Sequence, residues 1–295
     1  MDYLKIAFLL RQLLSSYKPD VLITHTYYAN ILGQFVARLC GVFTRISVQH
    51  NQLFTYPKIA GWADWVLGTT NFYSVNVAVS QAVLESAAKY LAPYRKKLTR
   101  IYNGVPCLKI ENSPEAVRAH WGLPENAPLL LNVGRLAQQK NQAILFEALL
   151  HLPEAHLLLV GDGELRASLQ KQVAQLQLEK RVHFLGELES QNVLALLFVC
   201  SVFVFPSFYE AMPMAVVEAM GSGLPVVASD IPAMREVLGD AGILVPSESA
   251  EEIARAVRQV LDSSELASRM RTRSLERARV FSLQKMVDSY EAIFT

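Results

Sequence analysis

Two glutamates, Glu210 and Glu218, stand eight residues apart around the segment Pro206-Ser207-Phe208-Tyr209-Glu210-Ala211-Met212-Pro213 and the run Met214 to Met220 that follows it. A carboxylate set among Ala215, Val216, Val217, Ala219 and Met220 needs hydrogen-bond donors, and sugar hydroxyls or a ribose diol supply them without a competing charge. Upstream, Val133-Gly134-Arg135-Leu136 is followed by Lys140, five residues after the arginine. Arginine engages phosphate through two parallel bonds and lysine adds a compact charge, so the pair suits a diphosphate. Val160-Gly161-Asp162-Gly163-Glu164 is a glycine turn of the kind that lets backbone approach a ligand. It lacks the third glycine and the later ribose acid of a dinucleotide fingerprint. His25 and His50 each end an apolar run. Taken singly, a glutamate pair, a surface Arg and Lys or a strand-end histidine is usually structural. Their order along one chain is what points to chemistry.

The elements that must carry these residues alternate. The pattern predicts a helix over 3–17, a strand over Val21–Thr24 ending at His25, a helix over Tyr28–Leu39 and a strand over Thr44–Gln49 ending at His50. A helix over Ile59–Leu67, a strand over Ser74–Val79, a helix over Gln81–Leu91 and a strand over Leu98–Tyr102 follow. Strand and helix repeated with short turns imply a parallel sheet covered on both faces. Asn103-Gly104-Val105-Pro106 reads as a turn, and the stretch to Pro128 as a linker. A second α/β unit has strands at Leu129–Val133, His156–Val160, Val182–Leu185, Val202–Phe205, Pro225–Ala228 and Ile243–Val245. Its helices fall at Gln142–Leu150, Glu164–Leu178, Gln191–Phe198 and Glu251–Leu261, with a helical charged stretch to Val280 and an amphipathic helix at Leu283–Phe294. The strand Val202–Phe205 stops at Pro206, and Pro213 fits the first turn of the next helix. The glutamate loop therefore lies at the carboxyl end of a strand, where open α/β sheets bind ligands, and free N–H groups from Met214 to Val216 suit an anion.

Composition narrows the class. The 295 residues are 52% hydrophobic, enough for two domains with buried cores. Cys40, Cys107 and Cys200 are far apart, which argues for a reducing compartment and against a zinc site. The net charge of +1 hides a split: residues 1–110 hold 12 basic against 4 acidic side chains, and residues 111–295 hold 16 against 23. The basic half, with Tyr94-Arg95-Lys96-Lys97 and the aromatics Phe54, Tyr56, Trp62, Trp65, Phe72 and Tyr73, suits either a solvated face over core aromatics or an anionic membrane surface or phosphate-bearing acceptor. No motif for nucleic acid accompanies the charge. Neither a secretory signal nor a membrane span is read, so the chain is expected in the cytoplasm, free or peripheral on the inner face of the membrane.

The ordered set from Gly134-Arg135-Leu136 through the Glu210–Glu218 pair to Gly223-Leu224-Pro225-Val226-Val227-Ala228-Ser229-Asp230 and Gly242-Ile243-Leu244-Val245 resembles the donor site of retaining glycosyltransferases of the large family that includes sucrose synthases. The similarity is strongest from Leu129 to Leu261 and weaker from Pro19 to Val105. It implies the GT-B fold: an acceptor-side Rossmann-like domain over residues 1–110, a nucleotide-sugar domain over 111–280, and a helix over 281–295 crossing back to the first, with the domains facing across a cleft. By the same resemblance Arg135 and Lys140 bind the diphosphate, Glu210 the sugar hydroxyls and Glu218 the ribose, while His25 faces the donor sugar. Gly161 and Gly163 line the nucleotide pocket, His183 and Phe184 lie near the base, and Met212, Pro213, Met214 and Ala215 complete the donor wall. Asn141 stands where the family has glycine.

The implied reaction moves a sugar with retention from a UDP- or GDP-sugar to a polysaccharide, lipid-linked or small-molecule acceptor. Cations and a helix start stabilise the departing diphosphate without a metal or other cofactor, in keeping with the lack of an Asp-x-Asp motif. Rival readings on the same fold are a nucleotide-sugar epimerase, a phosphorylase, and a donor-binding remnant that needs a partner. The last is prompted by the first domain, which opens in the helix before the His25 strand. Roughly 70 residues of the family pattern have no counterpart, at about 30 residues per strand–helix–strand unit, so slow turnover or none is expected unless a partner chain or an upstream segment completes the cleft.

Overall fold

In the computed structural model residues 3–106 and 113–294 are described, and they fall into two compact units. Cys107 and the expected domain boundary at 110 lie outside the described residues. The first unit comprises residues 3–103 with 286–294, and the second runs from 104 to 285.

The first unit is built from α1 (Tyr3–Tyr17), β1 (Val21–His25), α2 (Tyr27–Leu39), β2 (Thr44–Gln49), α3 (Lys58–Thr69), β3 (Val75–Ala78), α4 (Gln81–Ser86), α5 (Ala92–Arg95) and β4 (Leu98–Arg100). Its four strands are all parallel, in the order β1-β2-β3-β4, with His25 opposite Val48. The expected helix over Gln81–Leu91 ends early: Ala87 and Ala88 bond back to Leu84 and Glu85, tightening the chain into turns three residues apart. Tyr90 then packs edge-on against Tyr94, 4.8 Å between ring centroids. The aromatic stretch also divides. Tyr56, Tyr73 and Tyr94 are core residues, whereas Phe54 and Trp62 are exposed. Lys97 of the basic cluster is tied to the Gly68 carbonyl at 3.0 Å.

The second unit contains α6 (Pro114–His120), β5 (Leu129–Val133), α7 (Ala143–Leu150), β6 (His156–Val160), α8 (Arg166–Gln175), β7 (Val182–Gly186), α9 (Ser190–Val199), β8 (Val202–Phe205), α10 (Met214–Gly221), β9 (Val226–Ser229), α11 (Pro232–Leu238), β10 (Ile243–Val245), α12 (Ala250–Asp262) and α13 (Ser264–Ala278), and α14 (Leu283–Phe294) begins at its edge. Six parallel strands run in the order β10-β9-β8-β5-β6-β7. The order reverses between β5 and β8, which makes their carboxyl ends the switch point of a doubly wound sheet. Leu130 and Leu131, Leu158 and Leu159, and Val202 and Phe203 are buried on opposite faces of the sheet, which is why β5, β6 and β8 read as continuous apolar runs.

Part of the expected linker is α6, started by Ser113, whose side chain caps Ala116, and by Pro114. The segment Asn103-Gly104-Val105-Pro106 is no turn. Val105 exchanges backbone bonds of 2.9 Å with Phe281 and Leu283, and a Cβ on Gly104 would lie 2.6 Å from the Leu283 Cα. Glycine there permits close approach of two backbones. No helix among the described residues is long and apolar enough to cross a membrane.

Candidate functional site

The carboxyl ends of β5 and β8 carry the two loops that matter, and the chain laces them together. Phe208 donates its N–H to the Gln139 carbonyl at 2.9 Å, and Gln139 Nε2 donates to the Tyr209 carbonyl at 2.7 Å. Asn141 occupies the left-handed region, φ 52, which asparagine tolerates better than other side-chain-bearing residues. Its Nδ2 donates to the Ser247 carbonyl at 2.8 Å, an anchor that glycine at this position lacks. Lys140 ends a short 3-10 turn, Gln138–Lys140, ahead of α7. Its Nζ meets Glu210 Oε1 at 2.5 Å, with the two side chains 18% and 8% exposed. The family resemblance assigns these residues to different parts of a ligand. Folding brings them to each other across 70 positions of chain.

Arg135 is exposed, and its backbone is fixed by Gln142 Nε2 donating to the Arg135 carbonyl at 2.9 Å. Glu218, the fifth residue of α10, is half-buried. Burial pushes its carboxyl pKa above the ordinary range. Pro213 stands just before α10, not inside its first turn, and its carbonyl accepts the Val216 N–H at 3.0 Å. The expected anion-facing amides thus shrink from three to those of Met214 and Ala215. Met212 and Pro213 are buried, and Met214 and Ala215 half-buried.

Gly161 and Gly163 approach protein rather than leaving open space. A Cβ on Gly161 would strike the Gly134 carbonyl, and one on Gly163 would lie 2.5 Å from the Leu136 carbonyl oxygen. Leu136 N–H donates to the Asp162 carbonyl at 2.9 Å, so the glycine turn is the bed of the loop bearing Arg135. His183 and Phe184 belong to β7. They occupy the first half of β7, opposite Leu158 and Leu159, while Gly186 forms the carboxyl end beside Gly161. His183 Nε2 lies 3.1 Å from His156 Nδ1, and Phe184 packs on the core against Phe146, 6.4 Å between centroids. The period of two along the strand turns neighbouring side chains to opposite faces, and neither His183 nor Phe184 reaches the strand's carboxyl end.

In the first unit His25 and His50, at the carboxyl ends of β1 and β2, face each other with Nδ1 and Nε2 2.8 Å apart. His25 is exposed and His50 half-buried. Burial, then the neighbouring His25, lowers the pKa of His50. Thr26, next to His25, has φ 70 and ψ 152, a strained setting for a β-branched residue. Sequence reasoning missed this pairing and the lacing by Gln139, Asn141 and Gln142. Of these, the asparagine in place of glycine carried a readable signal for a left-handed turn. No cluster of three or more metal-ligating side chains occurs among the described residues.

Two parallel-sheet units, the second of them doubly wound, make a GT-B glycosyltransferase fold, and solved structures agree. The HepE protein of Anabaena, solved with UDP and glucose, superposes with a TM-score of 0.88 at 22% identity, over 98% of this chain and 81% of that one. The chain belongs to the family described as glycosyl transferases group 1, whose pattern matches residues 114–277, and residues 2–107 match glycosyltransferase family 4. It is a glycosyltransferase by family. An uncharacterized glycosyltransferase of Methanocaldococcus jannaschii is 26% identical over 98% of this chain and 82% of its own length. The UDP-Gal:alpha-D-GlcNAc-diphosphoundecaprenol alpha-1,3-galactosyltransferase of Escherichia coli is 27% identical over 97% and 77%.

Proposed function

We propose that the chain transfers a sugar, with retention at the anomeric carbon, from a UDP-sugar to a lipid-linked or other glycan acceptor, without a metal. The Lys140–Glu210 pair carries this reading: a cation and a carboxylate held together at the switch point between β5 and β8. Lysine has three donor hydrogens, so it can hold Glu210 and a phosphate oxygen at once. Glu210 is then oriented toward the hydroxyls of the sugar. Arg135, exposed on its pinned backbone, is the second cation for the diphosphate, and half-buried Glu218 accepts from the ribose diol. As the anomeric carbon gains oxocarbenium character, negative charge grows on the departing diphosphate, and Arg135 and Lys140 stabilise it more than they do the ground state. His25 is assigned to the sugar being transferred. UDP is favoured over GDP because HepE was solved with UDP and the Escherichia coli relative uses UDP-Gal.

The test is titration calorimetry with UDP and GDP, followed by product analysis with lipid-diphosphate sugars as acceptors and determination of the product anomer by NMR. UDP binding and an axial product from an axial donor support the reading. Release of free nucleotide without any acceptor points to an epimerase, and a strict need for inorganic phosphate to a phosphorylase. Absence of binding to either nucleotide overturns it.

A further inference from the structure

A file of buried polar side chains runs beneath the His25–His50 corner. Gln34 Nε2 donates to Thr24 Oγ1 at 2.7 Å, Thr24 Oγ1 donates to Asn30 Oδ1 at 2.8 Å, and Asn30 Nδ2 donates to Gln49 Oε1 at 3.2 Å. Gln49 Nε2 then donates to Asp64 Oδ1 at 3.1 Å. Gln34, Asn30, Gln49 and Asp64 are fully buried and Thr24 nearly so. Every donation points the same way, toward a carboxylate that also accepts from Tyr73 at 3.0 Å and Tyr94 at 2.7 Å. Tyr56 adds a bond of 2.6 Å to Gln49 Oε1. Polar groups are costly to bury unless they are satisfied, and of the side-chain polar atoms in this file only Gln34 Oε1, at its far end from Asp64, is without a partner.

The file touches the site at both strand ends. Thr24 immediately precedes His25, and Gln49 immediately precedes His50. Asn30 also donates to the Val48 carbonyl at 3.0 Å, and its backbone N–H closes on the Thr26 carbonyl at 2.8 Å. The strained Thr26 corner is therefore held from below by the same residue that joins α2 to β2. A strained backbone persists only where its surroundings over-determine it.

We propose that Asp64 is a positioning residue for the histidine pair: by terminating the file it fixes the amide orientations of Gln49 and Asn30, and through them the geometry of His25 against His50. This rests on the assignment of His25 to the transfer step. The reasoning is one of donor and acceptor count. A carboxylate offers acceptors only, so Gln49 must present its NH2 to it, leaving Oε1 for Asn30, and so on to Thr24. An amide at the Asp64 position brings donors of its own, and a flipped Gln49 would then oppose NH2 to NH2 at Asn30, a conflict passed along a cooperative chain.

The test uses Asp64→Asn in the full chain, alone and combined with Gln49→Glu, which returns a carboxylate to the file one link along. Expected for the single variant are a kcat lower by about ten-fold, a donor KM within about two-fold, and changed 15N ring signals of His25 and His50. The combined variant should recover most of the kcat and the ring signals, which a packing role alone would not produce. Thr24→Val breaks the file between Gln34 and Asn30 and carries the same expectation if Asp64→Asn does not fold. Unmoved ring signals and unchanged kcat in variants that fold, or absence of rescue in the combined variant, overturn the proposal. His25→Ala is measured alongside. If it leaves transfer intact, the assignment of His25 fails. If it abolishes transfer while Asp64→Asn and Thr24→Val do nothing, the positioning role fails and that assignment stands.

Discussion

Lys140 and Glu210 lie 70 residues apart in sequence and 2.5 Å apart in the fold, at 18% and 8% exposure. A half-hidden ion pair is weak evidence for stability, because desolvation offsets the attraction, but removing one partner leaves the other uncompensated. Lys140→Met should therefore cost about 3 kcal/mol in urea unfolding, and Glu210→Gln less, since the lysine retains a path to water. A double-mutant cycle reads the coupling directly. A coupling of zero would mean the pair is not formed in solution.

Arg135 offers the opposite case. Its side chain is exposed, so Arg135→Ala should leave unfolding within about 0.5 kcal/mol of the parent chain. UDP affinity should fall by about 1.5 to 3 kcal/mol, the worth of hydrogen bonds to a charged group. Equal affinities in calorimetry would take Arg135 out of the diphosphate site.

Glu218 links stability to pH. Its folded carboxyl is raised by burial, so the folded chain binds a proton that the unfolded chain has released, and the stability contributed by this group is lost as pH rises from the ordinary glutamate value through the raised one. Glu218→Gln removes the charge penalty. The variant should melt higher than the parent at neutral pH, the gap closing toward pH about 4, while binding UDP about ten-fold more weakly through loss of an acceptor for the ribose. A constant melting difference across the range would show that burial does not perturb this carboxyl.

Gly163 faces the Leu136 carbonyl at a separation no Cβ tolerates. Gly163→Ala should destabilise by about 2 kcal/mol and lower UDP affinity together, because the Arg135 loop must shift. The same change in affinity without loss of stability would instead favour direct contact between the glycine and the nucleotide.

Much of the scaffold was legible because local physics decides it. Apolar runs such as Val202–Phe205 must be buried strands, their alternation with helices demands parallel sheets, and Pro206 ends β8 where the site begins. The helices α6 and α11 were written in Ser113-Pro114 and Ile231-Pro232 but lay in stretches rich in turn residues, which masked them. The sequence by itself also determined which side chains carry charge to the loops after β5 and β8 and to α10, since Gly134-Arg135-Leu136, Lys140, Glu210 and Glu218 follow in fixed order along the chain. Only the tertiary structure decided who meets whom. Lys140 finds Glu210, His25 finds His50, and the glycines of the Gly161 turn serve a neighbouring loop, because strand order in the sheet, not distance along the chain, sets which carboxyl ends are adjacent. His183 and Phe184 show the same dependence in reverse: their position within β7 fixes His183 beside His156 and Phe184 on the core, and no spacing along the chain records how far a side chain stands from the end of its strand.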